Sequence, residues 1–228
     1  VKISLNWISD YIDINGADLS FLFSELNKSA AKIKKVTEDN GDIIIHFNDN
    51  DILDNPELWS HYGIAREISK ITGRDLLDIE YVNEGYLKYM SSSVLNLQEE
   101  EVKSCLRCSA IKVENISEEV SPAFISNRLT SCGIAAHSLA IDLANYVMMD
   151  IGQQLYVYKD SLGSLIVEAA IFDGDNKNTS MTAVAICRYI RLLQEYMPEA
   201  RAASALYDNI ANTARNIDIQ FQNKYISF

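Results

Sequence analysis

The twenty residues from Leu139 to Tyr158, LAIDLANYVMMDIGQQLYVY, constrain the fold more than any other stretch of the chain. Up to Asp150 they carry no Gly or Pro and read as a helix. Gly152 stops that helix, and the residues after it suit a short strand. A helix that turns directly into a strand places the segment in a mixed helix-and-sheet domain.

The other segments fit the same class. Lys2 to Trp7 reads as extended. Asp18 is suited to cap a helix whose Leu19, Leu22, Phe23 and Leu26 make one apolar stripe. Asp39-Asn40-Gly41 is a turn signal before a β-branched strand from Ile43 to Phe47. Asp54 or Asn55 is expected to cap a helix with Pro56 in its first turn, Glu57 near the positive end of its dipole, and a stripe of Leu58, Tyr62, Ala65 and Ile68 that Gly73 stops. Ser109 to Ile116 alternates as a strand, and Ser121-Pro122 opens a helix that Gly133 ends. Leu165 to Phe172 is an apolar strand. Thr179 is placed to cap a long helix, with Val184, Leu192 and Tyr196 on its stripe, which Pro198 ends. Ile217 to Phe221 alternates as a last strand. Helices and strands interleave without strict alternation, so the expected class is α+β, mixed but with largely antiparallel sheets. Gly85, the serines at 91 to 93 and the acidic run Glu99 to Glu101 read as a linker. The expected domains are therefore 1–88 and 103–210, with 211–228 as a C-terminal strand or tail.

The chain has 228 residues and a net charge of −12, from 20 Lys and Arg against 32 Asp and Glu. Phosphate backbones are held mainly by clustered Lys and Arg. Here the basic clustering goes no further than Lys32, Lys34 and Lys35, so autonomous tight binding of nucleic acid is disfavoured. No apolar run is long enough to span a membrane. Four Cys in 228 residues, with no secretory signal visible, suit free thiols in a reducing compartment, either cytoplasm or organelle matrix. Cys105 and Cys108 have the spacing of a zinc or redox half-site, but no second pair follows, and residues three apart in a strand point to opposite faces. The three His (His46, His61 and His137) have no converging partners in the sequence and read as packing or surface groups. No metal, no cofactor and no phosphate-binding glycine loop is expected.

Several stretches resemble, in order, the β subunit of phenylalanyl-tRNA synthetase. VKISLNWISDYIDI is similar to its start, and ILDNPELWSHYGIAREISKITGRDL to a segment of some bacterial members. CLRCSAIKV resembles the entry to its editing domain, RLTSCGI and IDLANYVMMDIGQQLYVY the interior, and RYIRLLQEYMPEA a helix near the end. The resemblance implies a small first domain followed by a shortened editing-type domain. It also implies losses. The tRNA-binding domain inserted in the family's first domain has no room between Val36 and Ile43. A further deletion falls between Val167 and Asn178, and the catalytic-like module is absent.

The family's editing site hydrolyses tyrosine wrongly attached to the phenylalanine tRNA. Such a site must recognise a phenolic hydroxyl by a positioned hydrogen bond and aim water at an ester carbonyl. On the matching positions this chain keeps Asp142 and Asn145, three apart on one helix. The family's Thr before that Asn is Ala144 here, and its His is Tyr156. The resemblance therefore implies a changed pocket around Asp142, Asn145 and Tyr156, and no catalytic residue is nominated. The reading is a miniaturised, non-catalytic binding or scaffold component derived from the translation machinery. Its expected partner is a protein or larger assembly, with an aromatic amino acid as an alternative ligand. The enzyme rivals are a freestanding hydrolase of mischarged Tyr-tRNA, or a reduced β subunit working with an α subunit.

Overall fold

The computed structural model describes residues 1–48, 56–85, 105–117, 119–172 and 180–210, together with positions 50, 87 and 95. Strand β1 (Lys2–Ser4) leads into a single helical turn, α1 (Leu5–Ile8). The extended segment expected through Trp7 therefore ends three residues early. The cause is local: the Ser4 side-chain oxygen accepts the Trp7 N–H and caps the turn. Helix α2 (Leu19–Ser29) starts at Asp18, whose carboxylate accepts the Ser20 and Phe21 amides, and it buries Leu22 and Leu26. Strands β2 (Ile33–Asp39) and β3 (Asp42–Phe47) are joined by Asn40 and Gly41 alone. Both have positive φ, 49° and 78°, the two-residue turn whose twist matches a hairpin. Strand β2 was not anticipated, because an edge strand rich in exposed Lys shows little apolar alternation. The three strands form one antiparallel sheet in the order β1-β3-β2.

The next helix also starts later than expected. Pro56–Trp59 is a 3-10 turn, and α3 runs from His61 to Thr72 with the Ser60 hydroxyl accepting the Gly63 amide. Gly73 ends it in the left-handed conformation, φ 69°. The earlier cap candidates Asp54 and Asn55 lie outside the described residues, as does the Glu57 side chain. So do Thr179, Ile217 to Phe221 and, apart from Leu95, the linker from 88 to 104.

The second sheet is built on β4 (Cys105–Glu114). Helices α4 (Ala123–Ser131) and α5 (Leu139–Ile151) follow, then the hairpin β5 (Tyr156–Lys159) and β6 (Leu165–Phe172). Helix α6 (Met181–Tyr196) and the short strands β7 (Arg201–Ala202) and β8 (Tyr207–Ile210) complete the described chain. The strand order is β5-β6-β4-β7, with β8 also paired to β4, and every pairing is antiparallel. Helix α6 lies on β4 and β6, and α5 packs on α6. The fold is α+β. Among the described residues, no helix is long and apolar enough to cross a membrane.

Side chains from both sheets enter one continuous buried core. Asp150, near the end of α5, is fully buried. It accepts hydrogen bonds from the Trp7 indole at 2.9 Å, the Tyr11 hydroxyl at 2.6 Å and the Arg188 guanidinium at 3.1 Å. Those donors come from the α1 region and from α6, so one carboxylate ties three parts of the chain together. Removing a partner from such a buried ion pair strands the remaining charge. Asp150→Ala should therefore lower the unfolding free energy by about 3–5 kcal/mol. Asp10→Ala, which removes the more exposed partner of Arg128, should lower it by about 1 kcal/mol. Urea titration of both variants checks the ranking, and equal losses would contradict it.

Candidate functional site

The site is laid out around α5. Its sequence forms a helix because thirteen residues without Gly or Pro precede Gly152, which takes φ 85° and donates its N–H to the Met148 carbonyl. The helix is buried on most sides, with Leu143, Ala144, Tyr146 and Val147 all turned into the core.

Asp142 is fully buried, and both of its carboxylate oxygens are engaged. One accepts the Ser121 hydroxyl, the other the His137 backbone N–H at 2.8 Å. It thereby holds the segment before α5 against the segment before α4, a pairing continued by the Val120–Ser138 bridge. Asn145, three residues on, is half-buried, and its side-chain amide makes no hydrogen bond among the described residues. Ala144 is 6% exposed and offers no hydroxyl.

Tyr156 sits elsewhere. It pairs with Glu168 across β5 and β6, and directly paired residues share a face of a sheet. Leu165, Val167 and Ala169 of β6 point to the core beneath the helices, so Glu168 and Tyr156 project from the opposite face. Tyr156 is 41% exposed there, near Tyr158, whose hydroxyl donates to Glu168. The three residues therefore do not converge: one is a buried structural acid, one a half-buried amide on α5, and one a phenol beyond the sheet. Of the cavities walled by described residues, two of about 590 and 290 Å³ are not lined by Asp142, Asn145 or Tyr156. The larger is walled by Asp10, Asp78 and Glu80 beside Tyr11 and Arg188.

The cysteine geometry differs from the sequence expectation. A bulge between Cys105 and Arg107 shifts the register of β4. Cys105 then pairs with Phe172 and Cys108 with Ala170, two positions on the same face, so the two thiols share one buried cluster rather than pointing apart. All four Cys are buried, and none is in a disulfide. Burial and the Glu168 carboxylate push the Cys108 thiol up to about 12, and burial raises Cys132 and Cys187 to about 12 as well. Such thiols are poor nucleophiles at neutral pH. Among the described residues, no group of three or more His, Cys, Asp and Glu is placed to hold a metal ion.

No protein-family model matches the chain. Curated relatives do. The phenylalanine–tRNA ligase β subunit of Solibacter usitatus is 30% identical over 124 residues, 53% of this chain and 15% of that protein. The chloroplastic β subunit of Porphyra purpurea is 26% identical over 163 residues, 69% of this chain and 22% of that protein. That of Gracilaria tenuistipitata var. liui is 24% identical over 179 residues, 78% of this chain and 25% of that protein.

This chain is related to phenylalanine–tRNA ligase β subunits. It spans about 15–25% of the length of those β subunits.

What sequence reading missed is the Asp150 cluster, although its signal was present. Trp7 and Tyr11 stand four apart in the β-subunit-like opening segment, and Arg188 and Asp150 both lie in β-subunit-like helices. Nothing in linear order couples them. The bonding of α5 yields a clear contrast. Asp142→Ala removes a charged acceptor from two donors and should cost about 2–3 kcal/mol. Asn145→Ala should stay within about 0.5 kcal/mol. Thermal melts of the two variants compare them directly, and a large loss for Asn145→Ala would show that the amide has a structural partner.

Proposed function

We propose that this chain is a reduced, diverged relative of the β subunit that binds a protein partner and does not hydrolyse aminoacyl-tRNA. One observation carries the reading: Asp142 is fully buried with both carboxylate oxygens bonded, whereas Tyr156 stands on the face of the second sheet away from the core. Hydrolysis of an ester needs a water held between groups aimed at one point. Asp142 has both oxygens committed within the fold, and Ala144 supplies no hydroxyl. The direct Asn40–Gly41 hairpin supports the loss of an insertion between β2 and β3. The net charge of −12 argues against holding a tRNA unaided. In this reading, residues 1–88 and 103–210 are two retained modules. The relatives are named as subunits, which favours a subunit-like protein partner.

The test is deacylation of Tyr-tRNA(Phe) by the purified chain. The expected rate equals that of the uncatalysed ester, unchanged by Asn145→Ala. Turnover that disappears in Asn145→Ala would instead establish the freestanding hydrolase. Thermal melts with added Phe or Tyr address the remaining rival. A ligand that binds the native state raises the melting temperature, and no rise is expected with either amino acid.

A further inference from the structure

His61, the first residue of α3, is fully buried and has no acidic partner. Its two ring nitrogens have opposite duties. Nε2 lies 3.0 Å from the Ser4 backbone N–H, which can only donate. Nδ1 lies 2.7 Å from the Met149 carbonyl, which can only accept. The imidazole must therefore be neutral, protonated on Nδ1 alone. It stacks on the Trp7 ring, with centroids 4.0 Å apart, and Trp7 in turn stacks on Tyr146 of α5. One side chain thus joins β1, α1, α3 and α5.

The groups facing His61 give a second proton no home. From α4 come the Cys132 sulfur, at 3.8 Å from Nε2, and the Arg128 guanidinium, which sits over the Trp7 ring at 5.3 Å. From α5 comes the Tyr146 phenol, already accepting from Arg128. The nearby carboxylates are committed: Asp42 to the Ser4 hydroxyl and Asn6 amide, Asp10 to Arg128, and Asp150 to Trp7, Tyr11 and Arg188. A protonated Nε2 would point a hydrogen at the Ser4 N–H, beside a fixed cation.

We infer that His61 is an acid-sensitive latch: protonating it releases the N-terminal segment, residues 1–12, from α3 and α5 before the second sheet and its helices come apart. The released segment carries Trp7 and Tyr11, so opening also removes two of the three donors from Asp150. Burial lowers the His61 pKa from 6.5 to about 3. The sign follows from linkage. Between those values the open state binds a proton that the closed state refuses, so the latch is fully engaged above about pH 6.5 and is lost as pH falls toward 3. One proton gives at most about a tenfold change in the open-to-closed ratio per pH unit.

The experiment follows Trp7 emission and amide hydrogen exchange from pH 7.5 to 3 in a Trp59→Phe background, which leaves Trp7 as the single tryptophan. The expected result is that Trp7 emission and exchange over residues 1–12 change first, while amides in β4, β6 and α6 stay protected. In His61→Gln, which cannot titrate, that first step should lose its pH dependence. Simultaneous loss of protection in both regions would overturn the proposal, as would an unaltered pH profile in His61→Gln. If His61→Gln does not fold, ring-nitrogen NMR of the wild-type protein decides. A neutral Nδ1–H imidazole persisting at pH 5 supports the latch, and a ring already doubly protonated there while residues 1–12 stay protected refutes it.

Discussion

The buried Asp150 carboxylate is the constraint that the rest of the architecture obeys. An isolated carboxylate in a dry interior is strongly unfavourable, and here burial pushes Asp150 above the usual carboxylate range against the pull of Arg188 and the Tyr11 and Trp7 donors. The arrangement holds only if the α1 region, α5 and α6 meet with their donors in place. That requirement places the N-terminal segment against the C-terminal half, although 139 or more positions separate Trp7 and Tyr11 from Asp150. Arg188 also donates to the Glu80 carbonyl, which draws the segment after α3 into the same joint.

Around that joint the polar groups form an ordered shell. Arg128 makes two bonds to Asp10 and one to Tyr146, and lies over the Phe124 ring at 4.1 Å. Ser109, Thr182 and Asp208 link β4, α6 and β8 on the far side, and Arg107 closes on Asp208 with two bonds. Among the described residues, no buried side-chain nitrogen or oxygen lacks a hydrogen-bond partner. Satisfied networks of this kind specify one arrangement, because any slip leaves a donor or acceptor stranded. Asp142, with both carboxylate oxygens bonded within the fold, follows the same pattern.

The candidate site shows how residues close in sequence can stand apart in space. The helix, its glycine stop and the following strand all form. Yet the side chains set along them serve different purposes. Asp142 staples the segment before α5 to the segment before α4, Ala144 fills space, and Tyr156 stands on the face of the sheet away from the helices. Retained packing positions keep a fold, whereas a pocket needs polar groups that converge. The first requirement tolerates far more substitution than the second.

Much of the element list was legible from local patterns. The α5–β5 unit, the β6 strand, the Asp18 cap, the Asn-Gly hairpin turn and the glycine stops at 73 and 152 rest on short-range rules, in which spacing, caps and backbone freedom decide. Boundaries were misread where a side chain three residues away took over a backbone amide, as Ser4 and Ser60 do. Facing was misread at Cys105 and Cys108, because one bulge reverses the alternation and a bulge is set by strand pairing. By itself, then, the sequence determined most of the helices and strands, the α+β class and the likeness to the β subunit. Only the tertiary structure decided that His61 and Asp150 are the joints of the molecule, and that Asp142, Asn145 and Tyr156 do not meet. Convergence depends on contacts between residues far apart in the chain, and linear order does not record them.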